Sequence, residues 1–198
     1  MFHVRSQWLK FHESLFDADV AAAARIRATG CVHDCGGRLD VANYPRKGRG
    51  LDDETERAGQ YDLRLSLCCS REGCRRRATP PSVRFLGRRI FVAALVIAGA
   101  MTTVDTRTSI PSATPSPARQ TRGRWRAFWR EQLVRSAMYI EMIGARMSPT
   151  IDASEMPDVL VERCRGDIFE RLHSVLRLLA PWTTISVTPE SARSVMVR

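Results

Sequence analysis

Lysine is nearly missing from this chain. Of the 31 basic residues only Lys10 and Lys47 are lysines, and the rest are arginine. GC-rich coding produces the same bias, so the bias alone decides nothing. Physically, the planar arginine fork matches phosphates and guanine edges better than an ammonium does. Long apolar runs are missing too. The longest, "FVAALVIAGAM" at 91–101, falls short of the roughly 20 residues a membrane span needs and has the length of a buried core helix. The opening "MFHVRSQWLKFHES" has no apolar signal core, so a cytoplasmic, nucleoid-associated location is expected. Thiols stay reduced there, and spaced cysteines then favour metal over disulfides.

Catalytic signatures are also lacking. There is no Walker loop, nucleophile elbow or H-E-x-x-H, and no internal repeat. A DDE transposase needs carboxylates from separated elements around two metal ions. Past residue 135 the pattern is helical, with no strand series to build such a site. Asp152, Glu155, Asp158 and Glu162 read as a solvated acidic face. An enzyme is not expected.

What is present is clustered positive charge. The formal net charge is +10. Residues 71–89 hold seven arginines against Glu72, and residues 119–135 hold six against Glu131. The acids gather at 52–56 and 152–170. Segregation of this kind is the electrostatic footprint of a polyanion partner.

The coarse pattern predicts an α+β protein. Trp8, Phe11, Leu15 and Phe16 recur at helical spacing and an alanine-rich run continues them, so residues 5–28 read as helix, with Asp17 able to cap a second helix. Residues 31–86 are turn-rich. Tyr61, Leu63, Leu65, Leu67 and Cys69 alternate as in a strand. "ATPPSVRFL" reads as extended, because proline pushes its predecessor out of the α region. A helix is expected over 89–101, a Ser/Thr/Pro linker over 102–117 and a helix over 118–144. In the last of these, Trp125, Phe128, Trp129 and Leu133 follow the helical period of a core face. Two tail helices follow, the second with a stripe of Ile168, Leu172, Val175, Leu176 and Leu179. The expected units are an N-terminal helical segment 1–29, a small β-unit 30–88, a helical region 89–145 and a helical tail 146–198.

The β-unit has few large apolar residues and needs a staple. Cys31 and Cys35 form a C-x3-C pair, and Cys69 and Cys74 a C-x4-C pair. Two short cysteine loops at this separation can close a tetrahedral zinc site. Four thiolates leave no open position, so such a zinc ion would be structural and would contribute folding energy. Cys68 can stand in for Cys69, and His33 for Cys31 or Cys35. Cys164 reads as a packed free cysteine.

"CVHDCGGRL", "YPRKGRG" and "LCCSREGCRRRATPPSVRFLGRR", followed by an apolar helix, together resemble the zinc-ribbon proteins found with bacterial insertion sequences, similar to the N-terminal zinc-ribbon and helix-turn-helix region of transposases. "ARQTRGRWRAFWRE" at 118–131 is similar to the recognition helix of that group. The resemblance spans about residues 31–135. It implies zinc held by Cys31, Cys35, Cys69 and Cys74, and binding to duplex DNA. It departs from the pattern at 104–115, where Pro111 and Pro115 fall in the middle helix and disfavour it.

In a helix-turn-helix the start of the second helix reaches base edges, here Arg119, Gln120 and Arg122. Arg124 and Arg126 are placed for phosphates. Arg75, Arg76 and Arg77 leave the metal loop directly and suit backbone contacts; Arg46 and Lys47 are weaker candidates. Two other outcomes are open. One is a zinc-ribbon module docking on a transposase or polymerase through the amphipathic tail helix at 167–180. The other is RNA binding through the arginine loops.

Overall fold

The computed structural model describes residues 2–33, 35–46, 49–50, 63–86, 91–102, 117–136, 139–140 and 152–184. Lys47, the acidic run 52–56, Tyr61, Arg89, and the segment 104–115 with Pro111 and Pro115 lie outside them. The architecture is mixed helix and sheet. One long helix, α1 (Phe2–Thr29), runs without a break, so Asp17 caps no second helix. Its residues serve two cores. Trp8, Phe11 and Leu15 enter a large apolar core, and Ile26 enters a small one.

The small core lies under short strands. β1 (Leu39–Val41), β4 (Leu67–Cys69) and β5 (Arg77–Ala78) form an antiparallel sheet in the order β1-β4-β5, with Leu39 opposite Cys69 and Leu67 opposite Ala78. β2 (Tyr44–Pro45) and β3 (Leu63–Arg64) pair separately. The alternation across 63–69 is therefore not one strand. It splits between two sheets at Leu65 and Ser66, where the Ser66 carbonyl accepts from Ala42 and its N–H donates to the Asn43 side chain.

The large core is helical. α2 (Ala93–Ala100) is shorter than the apolar run suggested and is buried almost all round, as an alanine-rich apolar helix without a polar face must be. α3 (Arg119–Ala127) packs against it. At Gly99 a Cβ would lie 2.7 Å from the Trp125 ring, so the contact requires glycine. The helix expected to reach 144 keeps α-helical form only to Ala127. It widens to a π-helical turn over Phe128–Leu133, passes through turn residues at 134–136, and is π-helical again at 139–140, where the Ile140 N–H donates to the Ser136 carbonyl; residues 141–144 lie outside the described residues.

The tail begins with a single 3-10 turn at Ala153–Glu155, then α4 (Asp158–Glu162) and α5 (Ile168–Leu179). Asp167 and Glu170 close a capping box at the start of α5. Leu172, Val175, Leu176 and Leu179 are all buried in the same core as Trp8, Val96 and Trp129. α1, which ends at Thr29, and α5 both contribute to this core. The apolar stripe of α5 thus packs into the chain's own core.

Asp19 ties α1 to the stretch at Ser82–Arg84. It is buried on α1, and its carboxylate accepts from the Ser82 hydroxyl (2.6 Å), the Val83 N–H (2.7 Å) and Arg84 Nε (2.8 Å). Farther along, the Thr183 hydroxyl accepts from the Ser82 N–H (2.7 Å). The proline stretch between sheet and helix is thereby held to both α1 and the end of α5.

Candidate metal centre

Cys31 follows the end of α1, Cys35 the turn after it, Cys69 sits in β4, and Cys74 closes the turn between β4 and β5. One ligand atom from each lies within 4.8 Å of all the others. Cys35 and Cys69 lie 3.4 Å apart, and Cys31 and Cys74 lie 3.8 Å apart. A tetrahedral ion with metal–sulfur bonds of about 2.3 Å sets its sulfurs about 3.8 Å apart. The two pairs lie at or just below that value and no sulfur lies more than 4.8 Å from another, so the four thiols could hold a metal ion.

The backbone is arranged to favour thiolates. The Arg71 N–H points at the Cys69 sulfur (3.4 Å), and the backbones of His33 and Gly37 hydrogen-bond to Cys31 and Cys35. Each donor comes two residues after its cysteine. Hydrogen bonds to a charged form favour that form. Four thiols this close compete for protons nonetheless. Cys35 is drawn down to about 7, first by the Gly37 backbone and then by the Cys31 thiol. Cys31 is pushed up to about 12, because burial and the neighbouring thiols outweigh the pull of the His33 backbone. Cys69 is raised in the same way, against the pull of the Arg71 backbone. Only a cation at the centre would let all four ionise together, and that donor set suits a transition metal with a taste for sulfur.

The surroundings leave no room for error. At Gly37 a Cβ would fall 2.4 Å from the Cys69 sulfur and 3.3 Å from that of Cys35, so the "CGG" stretch carries its glycine for close approach. The Arg71 guanidinium donates to the Cys35 carbonyl and ties one cysteine loop to the other.

Both substitutes considered from sequence fall outside the cluster. Cys68 alternates with Cys69 along β4 and sends its thiol to the Arg75 carbonyl (3.3 Å). The His33 ring is exposed, with Nδ1 3.2 Å from Arg76 Nη1.

The candidate nucleic-acid contacts fare unequally. Arg75 and Arg76 are exposed beside the cluster. Arg77 is exposed too, but it is tied down. Its guanidinium donates to the Ala42 carbonyl (3.1 Å) and the Ser66 hydroxyl (3.4 Å) and lies over the Tyr44 ring. Arg119, Gln120 and Arg124 are exposed on α3, Arg122 half so. Arg126 is half-buried and its Nε donates to the Ala100 carbonyl (3.1 Å), so it joins α3 to α2. Trp125 and Trp129 are buried in the core. Arg46 lies over the Phe85 ring.

Sequence reasoning missed the Asp19 network and the arginines around it. Arg64 is 1 % exposed and donates to the Pro80 carbonyl (2.5 Å), and its Nη1 has no partner. Nothing in the local pattern separates these residues from surface charges. Compared with known proteins, the chain matches no family model, no curated protein and no solved structure.

Proposed function

We propose that this is a zinc-stabilised DNA-binding protein associated with a mobile element, acting as a transposition accessory, a regulator or a truncated transposase. The observation that carries the proposal is the four-cysteine cluster with arginines at its edge. Zinc is the ion that all-cysteine tetrahedral sites commonly hold in reduced compartments. With four protein ligands it has a structural role, and no catalysis is assigned to it. The short sheet under the cluster is then a zinc ribbon. It presents Arg75 and Arg76 as a fixed pair for the phosphate backbone.

α3 is the base-reading element in this proposal. Its N-cap, Ala118, makes no side-chain cap bond, and its first turn carries no acid. The helix start therefore keeps unsatisfied N–H groups and positive potential beside Arg119, Gln120 and Arg122. Arg124 supplies a backbone contact. The apolar stripe of α5 packs into the chain's own core, which supports duplex DNA over docking through that stripe.

Gel-shift titration of the full-length, metal-loaded protein tests this. Binding is expected to weaken as salt rises and to vanish on chelation. Arg75→Ala with Arg76→Ala should lower the log–log salt slope by about two, and Gln120→Ala should relax sequence preference. Absence of a shift at low salt refutes DNA binding. Preferential competition by structured RNA redirects the assignment to RNA.

A further inference from the structure

A cavity of about 170 Å³ opens between α1, the stretch at Pro81–Val83 and α5. Its lining includes no residue of the cysteine cluster or of α3. We infer that it is a binding site for a small organic anion with a compact apolar body, such as an aromatic or branched-chain carboxylate.

The lining separates two kinds of surface. Ala22, Pro81, Val83, Ala180 and Pro181 line it as buried apolar residues. The volume is comparable to the roughly 150 Å³ cavity that accepts benzene. Arg25 from α1 and Arg177 from α5, both exposed, stand at the edge with His173. Asp19 is the one carboxylate in the lining, and its charge is answered by Ser82, Val83 and Arg84. Behind it lie two further buried guanidiniums, Arg84 and Arg64, and Nη1 of Arg64 is unpartnered. The lining thus sets two guanidiniums, Arg25 and Arg177, beside an apolar floor, with Asp19 already held by Ser82, Val83 and Arg84.

That combination selects among anions. Inorganic phosphate wants several hydrogen-bond donors around all its oxygens. The lining has no hydroxyl or amide side chain, and its two prolines offer no N–H. A single carboxylate is matched by a bidentate guanidinium fork, while its apolar body takes the floor. Because the walls come from α1 and α5, the ligand would bridge the start and the end of the described fold.

Calorimetric titration of the full-length, metal-loaded protein with benzoate tests the inference, with inorganic phosphate as competitor. Saturable binding of benzoate is expected, weakened about tenfold or more by Arg177→Gln and by Arg25→Gln. Both side chains are exposed, so the variants should fold, which circular dichroism checks. Phosphate should not displace benzoate. No saturable binding at millimolar benzoate, or equal affinity in both variants, overturns the site. Displacement by phosphate overturns the assignment to an apolar-bodied ligand. The site is independent of the DNA-binding proposal: benzoate binding by a protein without DNA affinity would leave it standing.

Discussion

The two ends of α1 sit in cores of opposite kinds. Near its start, Trp8, Phe11 and Leu15 join a large cluster with α2, α3 and α5. Near its end, Ile26 meets only Leu39, Leu67, Cys69 and Ala78, edged by three more cysteines. A buried apolar side chain contributes about 1.5–3 kcal/mol, whereas ordering each residue's backbone costs about 1–2 kcal/mol. The large core can meet that cost by area. The small one has three large apolar side chains and cannot, so its shape depends on what the thiols hold.

The largest expected effect separates the two. Cys69→Ser with Cys74→Ser removes half the cluster. Structural zinc contributes about 10–16 kcal/mol in small zinc-dependent peptides. The double variant should lose bound zinc by mass spectrometry. Hydrogen exchange should show β1, β4 and β5 amides unprotected while α2 stays protected. Equal loss of protection in α2 would mean that the cores form one cooperative unit, and the contrast would fail.

Asp19 tests the seam between them. In Asp19→Asn the buried Arg84 keeps its charge and loses its counter-ion. Breaking a buried pair in this way costs about 3–5 kcal/mol. Urea titration should show a clear fall in midpoint with zinc retained. An unchanged midpoint would mean that the proline stretch is held by packing alone.

Each core also has one glycine that a methyl group would test. Gly99→Ala pushes a Cβ to 2.7 Å from the Trp125 ring, and overpacking of this kind costs about 1–3 kcal/mol. Gly37→Ala pushes one to 2.4 Å from the Cys69 sulfur. Its effect should appear as faster loss of zinc to a chelator, with little change in the helical core. If both variants lose global stability and neither loses zinc faster, the cysteine end is no softer than the other.

How legible the molecule was in its sequence follows the same division. The cysteine cluster could be anticipated because ligand chemistry is carried by residue type and short spacing. The core faces of α3 and α5 were visible because helical periodicity marks them, as at Trp125, Trp129 and Leu172. Asp19 was invisible. It stands among alanines on a helix, and its three partners lie more than sixty residues away. Arg77 and Arg126 read as free charges for the same reason, since their carbonyl partners come from other elements. The split of 63–69 into two sheets was hidden because alternation reports which face a residue takes, not which strand it pairs with.

The smallest expected effect concerns the seam again, through His173. Its Nε2 is shut off from solvent and unpartnered. Burial first, and then the Arg177 charge, hold its pKa below the ordinary 6.5, against the opposing pull of Asp19. Arg25 lines the same cavity and adds no compensating negative charge. Since the folded value is the lower one, the unfolded chain takes up the proton first as pH falls. Stability is therefore complete above 6.5 and declines as pH drops through that value towards the folded one, where His173 must charge in place. Urea midpoints measured between about pH 7.5 and pH 5.5 should fall modestly, and His173→Gln should flatten that slope. Carboxylates titrate mainly below this window, so a slope that persists in the variant would place the pH sensitivity elsewhere. The cysteine end gives the contrasting control. In the proposed zinc site the metal would compete with protons at thiolates, so acid should also release zinc there, and His173→Gln should leave that release unchanged.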